Sequence, residues 1–168
     1  MKKLFIFLVA FFIATSFAQA AADINLGDFE DGTVNSWVTW GGTVTNASNP
    51  LKNTDNNSDK VLQVVTTAQY QGVAKGGLNV NIADYQKVTL DVYDPTGAVN
   101  FIVNVYGKNA SNSDVSKGFY PSTNAGAWKH YEVDLTNSTN FGTFVSITQI
   151  ALQNNTVATN LLFDNIKI

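Results

Sequence analysis

Apolar and polar residues alternate along most of the chain, in short runs that clusters of Asn, Gly, Asp and Ser separate. Such alternation is typical of half-buried β-strands, and no long stretch of the mature chain shows a helical period. The pattern predicts ten strands, at Ile24–Glu30, Trp37–Thr45, Val61–Thr66, Tyr70–Leu78, Gln86–Asp94, Val99–Tyr106, Val115–Tyr120, Trp128–Leu135, Ile147–Asn154 and Asn160–Ile168. We therefore predict an all-β fold, an antiparallel sandwich of two sheets.

The segment Asn46–Lys60 departs from this alternation. Asn, Ser, Asp and Pro fill most of it, and it has few apolar side chains. Loops of this composition run over the protein surface, where water satisfies their backbone groups. We predict a long surface loop here.

The first twenty residues do not follow the strand pattern. A positive start at Lys2 and Lys3 precedes an unbroken apolar run from Leu4 to Ile13, and Ala18-Gln19-Ala20 is a small-x-small cleavage signal. The pattern predicts a signal peptide over residues 1–20 and one β-sandwich domain over residues 21–168, secreted or periplasmic. An uncleaved anchor is the alternative, but the apolar run is shorter than the ~20 residues of a spanning helix.

Composition narrows the function further. The chain has 168 residues with 10 Lys+Arg, 13 Asp+Glu, one histidine and no cysteine, and its net charge of -3 excludes a basic surface for nucleic acid. Without cysteine it can form neither a disulfide nor a thiolate zinc site. Glycoside hydrolysis needs two carboxyl groups at a defined separation, and the sequence pattern identifies no such pair. The single histidine, His130, is interpreted as a surface residue. We predict that the protein is not an enzyme.

Alternation also assigns side chains to faces. On the predicted strand Val99–Tyr106, Asn104 and Tyr106 point away from the core, and Gln153 does so on Ile147–Asn154. On Gln86–Asp94 the outward set includes Asp91. Tyr, Asn and Gln on one open sheet face are typical of a carbohydrate platform, because a ring stacks on the C–H face of a sugar and amides bond its hydroxyls.

Short motifs follow one another along almost the whole mature chain, namely Asp28-Phe29-Glu30-Asp31-Gly32, Trp37, Asn49-Pro50, Val61-Leu62-Gln63-Val64, Tyr70-Gln71-Gly72, Val88-Thr89-Leu90-Asp91-Val92-Tyr93, Trp128-Lys129-His130-Tyr131-Glu132-Val133-Asp134-Leu135 and Leu162-Phe163-Asp164-Asn165-Ile166. In their order and spacing these motifs resemble carbohydrate-binding modules with a galactose-binding-like β-jelly roll, of the kind that accompanies secreted bacterial glycoside hydrolases and polysaccharide lyases.

The resemblance implies a structural calcium ion near the rim of the sandwich. Asp28 and Glu30 stand two apart in a predicted strand and so project from one side, and Asp164 lies in the final strand, which pairs next to the first in similar modules. Carbonyl oxygens of the long loop would complete the site. The alternative is that Asp28 and Glu30 are solvated and that Asp164 caps a turn. Glu30 and Asp164 are the stronger candidates.

The resemblance also implies a role for Tyr70, because related modules often present an aromatic ring at the position of Tyr70-Gln71-Gly72. The predicted carbohydrate site is therefore Tyr70, Asn104, Tyr106 and Gln153. Either tyrosine could instead lie half-buried at a sheet edge with its hydroxyl in water. Similar modules mostly pack the residues equivalent to Trp37 and Trp128 against the core, whereas the roles of Trp40 and Tyr120 stay open.

Together these features predict a secreted, non-catalytic protein that binds a polysaccharide or oligosaccharide. The alternative is a structural or adhesive extracellular subunit that uses the same sandwich for protein contacts, which would need an exposed edge strand or a contiguous apolar patch. The sequence identifies neither the glycan nor the oligomeric state.

Overall fold

The computed structural model describes residues 21–97, 99–135, 144–156 and 158–168. The predicted signal peptide, residues 1–20, lies outside these ranges. The strands are β1 (Asn25–Gly27), β2 (Val38–Thr39), β3 (Thr43–Ser48), β4 (Lys60–Thr66), β5 (Gly72–Lys75), β6 (Val80–Asn81), β7 (Lys87–Tyr93), β8 (Phe101–Asn109), β9 (Asp114–Phe119), β10 (Trp128–Asp134), β11 (Phe144–Asn154) and β12 (Thr159–Lys167).

The strands form two six-stranded sheets. Sheet A has the order β10-β7-β12-β4-β3, with β1 also paired to β12, and sheet B has the order β2-β5-β11-β8-β9, with β6 also paired to β11. Every pairing between these strands is antiparallel. The predicted antiparallel sandwich is confirmed. Among the residues described, no helix is long and apolar enough to cross a membrane.

The core lies between the inward faces of the two sheets. Phe101 of sheet B meets Phe163 of sheet A edge to face, with 5.8 Å between ring centroids, a favourable aromatic geometry. Trp37 is buried in the same core, and its Nε1 donates to the carbonyl of Leu26 over 3.1 Å. The core role expected for Trp37 is confirmed, and its polar atom is satisfied.

The predicted strand Trp37–Thr45 is wrong as one element. It is divided into β2 of sheet B and β3 of sheet A by Gly41 and Gly42, whose φ angles are 99° and 77°. A Cβ on Gly42 would lie 2.0 Å from the carbonyl oxygen of Val65. Glycine is required at this turn because only it combines a left-handed backbone with so close an approach.

The segment Tyr70–Leu78 also differs from its prediction as one strand. Only Gly72–Lys75 forms β5, the chain then leaves the sheet, and β6 follows at Val80–Asn81. Tyr70 precedes β5 with a φ of 64°. This left-handed conformation lies outside the range of a strand, so alternation cannot assign a face to Tyr70.

The polar loop 49–59 is not a simple surface loop, which corrects the prediction for Asn46–Lys60. Leu51 packs with Trp128 of β10 and Leu162 of β12 in a small cluster outside the main core, and Asn56 is buried. The loop therefore covers part of the outer face of sheet A. Asp91, predicted to point into solvent, does lie on that face but is buried beneath the loop.

Trp128 binds this loop through two hydrogen bonds. Its Nε1 donates to the carbonyl of Leu51 over 2.9 Å and to Asn49 Oδ1 over 3.2 Å. We expect Trp128→Phe to lower the free energy of unfolding by at least about 1–2 kcal/mol, because both acceptors lose a partly buried donor and the smaller phenyl ring leaves part of the indole volume unfilled. Urea unfolding with an unchanged m-value measures this loss. A midpoint equal to that of the unsubstituted protein would contradict the anchoring role.

Candidate functional site

Three of the four residues predicted to bind carbohydrate share the outer face of sheet B. Asn104 and Tyr106 alternate with buried valines on β8, and Gln153 lies on the neighbouring strand β11. The strand register places Gln153 opposite Ile102 and Gln149 opposite Tyr106. The faces predicted by alternation are therefore confirmed for these residues, although this does not test a role in binding.

The middle of this outer face is built from short side chains. Register partners across five strands form one row perpendicular to the strands, which we call the small-residue row, and it consists of Val38, Ala74, Ala151, Asn104 and Gly118. Its central member, Ala151, is buried by its neighbours. Because strands lie about 4.8 Å apart, the row is about 19 Å long.

The exposed rings and the glutamines of this face lie in the rows on each side of the small-residue row. The Gln153 row comprises Trp40, Gly72, Gln153, Ile102 and Tyr120, and the Tyr106 row comprises Gly76, Gln149, Tyr106 and Ser116. The aromatic rings remain accessible, with exposed fractions of 38% for Trp40, 67% for Tyr120 and 37% for Tyr106. On β11 and β9 the rings and amides of these rows thus flank the short residues Ala151 and Gly118, and we call this strip of the outer face, with the small-residue row as its floor, the trench.

All members of these three rows are uncharged. The first charged residues along the face are Lys108 and Asp114, which neutralise each other with 2.8 Å between Nζ and Oδ1. The trench therefore offers stacking surfaces and neutral hydrogen-bonding groups. This set can bind a polar, uncharged ligand with apolar faces, but it contains no cation to pair with an acidic one.

Tyr70, the fourth predicted residue, joins the site through its backbone. Its carbonyl accepts hydrogen bonds from Gln153 Nε2 and from Trp40 Nε1, each over 2.8 Å. Gln153 Oε1 in turn accepts a bond of 2.8 Å from Asn104 Nδ2. The side chain of Tyr70 is 53% exposed. Three of the four predicted residues are thus linked to one another, and Tyr106 lies across the trench from them.

The predicted metal ligands have a different geometry from the one expected. The first strand ends at Gly27, and Phe29 is buried with a φ of 57°, so Asp28 and Glu30 do not alternate along a strand. Asp28 accepts a hydrogen bond from Asn25, whereas Glu30 Oε1 accepts from the backbone N–H groups of Asp59 and Lys60. The expectation that Asp28 and Glu30 project together from one strand is wrong.

Asp164 is buried under the same loop. Its Oδ2 accepts a hydrogen bond of 2.8 Å from Asn56 Nδ2, while its Oδ1 is buried and accepts none. Burial raises the pKa of Asp164 above its usual range, and hydrogen bonds from Ser58 and Asn56 oppose that rise. A buried carboxylate with one unsatisfied oxygen is costly, and either a proton or a cation would relieve that cost.

The acidic residues that bind the segment 56–60 partly fit a calcium ion. Asp164 and Glu30 both bind the segment 56–60, and calcium prefers carboxylate and carbonyl oxygens. The part of the chain that the structure describes contains no group of three or more His, Cys, Asp or Glu that could hold a metal. An ion at this point would therefore depend on Asp164, Glu30 and loop oxygens, without Asp28.

His130 is a partly exposed residue of β10, as predicted, and its Nδ1 lies 2.7 Å from Asp91 Oδ1. Asp91 Oδ2 accepts a further bond from Asn165. On the same strand Glu132 pairs with Lys87, and this pairing lowers the pKa of Glu132. These acidic side chains are thus committed to structural partners.

The small-residue row and the part played by Trp40 were not identified from the sequence. Ala74, Ala151 and Gly118 look unremarkable in isolation, and only the pairing of β5, β11, β8 and β9 places them side by side. The available signal was the outward position of a short side chain in each strand. It becomes informative only once the order of the strands is known.

No protein-family model matches the chain, and no curated protein matches it. Solved structures do match. The family 11 carbohydrate-binding module from Clostridium thermocellum, in complex with a β-1,3-1,4-mixed-linked tetrasaccharide, is similar with a TM-score of 0.66 and 18% identity over 89% of this chain and 96% of that one. The CBM22-1 xylan-binding domain from Paenibacillus barcinonensis Xyn10C has a TM-score of 0.58 and 16% identity over 89% and 96%.

An exo-β-agarase is also similar, with a TM-score of 0.67 and 12% identity, and the match covers 85% of this chain but only 24% of the agarase. The chain thus spans about a quarter of that enzyme. At these identities the likenesses concern the fold. The chain has the β-jelly-roll fold of carbohydrate-binding modules, as its motifs implied.

Proposed function

We propose that this protein binds an uncharged polysaccharide, without catalysis, in the trench on the outer face of sheet B. The observation that carries the proposal is the trench itself, a floor of short side chains bordered by exposed rings and amides. Solved modules of the same fold include one in complex with a mixed-linked tetrasaccharide and one described as xylan-binding. The exported, extracellular setting predicted from residues 1–20 is part of this proposal.

The absence of charge from the three rows that form the trench narrows the ligand class. An acidic polysaccharide would gain from cationic partners, and binding to them would weaken as salt screens the attraction. A neutral polysaccharide is held by stacking and by hydrogen bonds, which salt affects little. We therefore propose a neutral glycan, with an affinity that is nearly the same at low and high ionic strength.

The proposal is tested by a glycan array on the mature chain, followed by calorimetric titration with oligosaccharides of the selected glycan. Mixed-linked β-glucan, xylan and agarose form the first panel because structural neighbours are described with these ligands or as an agarase. Binding to a neutral glycan supports the proposal. Failure to bind any glycan would instead favour the structural or adhesive subunit.

Tyr70 provides the first site-specific prediction. We expect Tyr70→Ala to weaken binding ten- to hundred-fold, since the loss of a stacking ring costs about 1–3 kcal/mol on aromatic platforms that stack nucleobases. Tyr70→Phe keeps the ring and is expected to bind nearly as the unsubstituted protein does. Titration of both variants measures the difference. Equal affinities for Tyr70→Ala and the unsubstituted protein would place the site elsewhere, for instance around Tyr120.

We also propose that a calcium ion binds at Asp164, with Glu30 and oxygens of the loop 49–59 as further ligands. Support comes from the buried, unsatisfied Oδ1 of Asp164 and from the loop segment that Asp164 and Glu30 share. Calcium would neutralise the buried carboxylate and hold the loop on sheet A. Its role is therefore structural, away from the trench.

A further inference from the structure

Tyr70 has a backbone conformation that a tyrosine adopts only under constraint. Its φ of 64° is left-handed, and a bulky side chain there costs energy relative to the extended or right-handed regions. Tyr70 also lies just before β5, where the strand pairing that would otherwise fix the backbone has not yet begun. Other contacts must therefore hold the residue in place.

Gln71 Oε1 closes the turn around Tyr70 by accepting from the backbone N–H of Thr67, and two further contacts converge on the Tyr70 carbonyl oxygen. Gln153 Nε2 and Trp40 Nε1 both donate to this oxygen over 2.8 Å. Gln153 lies on β11, and Trp40 directly follows β2. A carbonyl oxygen has two lone pairs, so both are used. Rotation of the Tyr70 peptide away from this conformation would break two hydrogen bonds at once.

The amide of Gln153 is itself oriented by a neighbour. Asn104 Nδ2 donates to Gln153 Oε1 over 2.8 Å, so the oxygen faces Asn104 and the nitrogen faces Tyr70. A flipped amide would set oxygen against the Tyr70 carbonyl and nitrogen against a second N–H group. The two polar atoms of Gln153 are thus bound within the protein.

We propose that Gln153, oriented by Asn104, is a positioning residue that holds Tyr70 in its left-handed conformation and so presents the tyrosine ring to the glycan. This inference rests on the proposed function of the trench. It differs from the expectation drawn from the sequence, in which Gln153 bonds sugar hydroxyls directly. On this proposal Gln153 contributes to affinity through Tyr70.

A double-mutant cycle distinguishes the two roles. The cycle uses calorimetric titration of Gln153→Ala, Tyr70→Ala and the double variant with the oligosaccharide that binds best. We expect Gln153→Ala alone to weaken binding about five- to tenfold, the range of one lost hydrogen bond, and to add no further loss in the Tyr70→Ala background. An equal loss in both backgrounds would overturn the positioning role and leave direct contact in its place.

Gln149→Ala is the matched control, because Gln149 is a glutamine on the same strand and face but in the Tyr106 row. Its effect on affinity, whatever its size, is expected to be the same with and without the Tyr70 ring. Gln153→Glu is a second test, since it keeps the shape but replaces the donor to Tyr70 by an acceptor. It is expected to weaken binding at least as much as Gln153→Ala does. Thermal melting of each variant identifies any that fails to fold.

A measurement without glycan separates this inference from the proposed function. The intraresidue NOE between the amide and α protons of Tyr70 reports its backbone conformation in solution, because these protons lie closest together when φ is left-handed, and we expect this NOE to weaken in Gln153→Ala but not in Gln149→Ala. An unchanged NOE in Gln153→Ala would overturn the inference even if the trench binds glycan. If the unsubstituted protein binds no glycan, the function fails, while a weakened NOE in Gln153→Ala would still confirm that Gln153 positions Tyr70.

Discussion

Replacement of Ala74 by leucine is expected to weaken glycan binding about hundred-fold, which corresponds to about 2.7 kcal/mol. Ala74 lies in the floor of the trench, between Val38 and Ala151 in the small-residue row. A leucine there would project from β5, where the chain from 72 to 76 otherwise presents only Gly72, Ala74 and Gly76 on this face. A sugar ring lifted by this side chain would lose stacking and hydrogen bonds together, so the effect exceeds that of truncating one wall residue.

The fold should tolerate Ala74→Leu. The residue is half-buried on the outer face of β5, and leucine is compatible with a strand that presents this side to solvent. Ala125→Leu is the matched control, as Ala125 is an exposed alanine in the turn before β10 of the other sheet. Calorimetry on both variants, with thermal melting as a check on folding, measures the effect. Equal affinity for Ala74→Leu and Ala125→Leu would show that the glycan does not enter the trench.

Alternation was sufficient to predict the class of fold and the outward faces of three residues of the candidate site. Asn104, Tyr106 and Gln153 lie in regular parts of long strands, where one residue in two must point outward. Their faces are confirmed for that reason. The same reasoning failed for Tyr70 and Phe29, because each has a left-handed backbone at which the period of two is lost.

The packing of the loop 49–59 on the outer face of sheet A could not be predicted from alternation. Asn56 and Asp91 are polar, and in a sequence pattern both indicate contact with water. In the structure they are buried together because the loop 49–59 folds over the sheet, where Asn56 Nδ2 reaches Asp164 and Asn56 Oδ1 accepts from Asn49. Such a contact depends on residues far apart in the chain, which periodicity does not report.

The trench is another feature that the sequence pattern could not predict. Short residues such as Ala151 and Gly118 give no signal of a binding site. Trp40 directly follows β2, a strand of only two residues that the sequence pattern did not separate. The register of β2, β5, β11, β8 and β9 is what aligns them. A shape made from small residues is a property of neighbouring strands, so it emerges only from the pairing.

Calcium is expected to raise the thermal midpoint of the protein, and Asp164→Ala is expected to abolish that increment. A ligand bound only by the folded state adds RT ln(1 + [L]/Kd), about 2.7 kcal/mol at a concentration of 100 Kd. For a chain of this size the gain corresponds to about 8 °C. Melting curves with chelator and with excess calcium measure it, and the increment is compared between variants because Asp164→Ala also removes the hydrogen bond with Asn56.

Asp28→Ala is the control for Asp164→Ala. Asp28 is an exposed carboxylate that bonds to Asn25, whereas Glu30 and Asp164 both bind the loop. We therefore expect Asp28→Ala to keep the full calcium increment and Glu30→Ala to lose most of it. Magnesium should substitute poorly, because it dehydrates reluctantly and demands near-octahedral ligands. If the unsubstituted protein melts identically with chelator and calcium, and metal analysis finds no ion retained after chelation, Asp164 holds the loop through Asn56 and Ser58 alone.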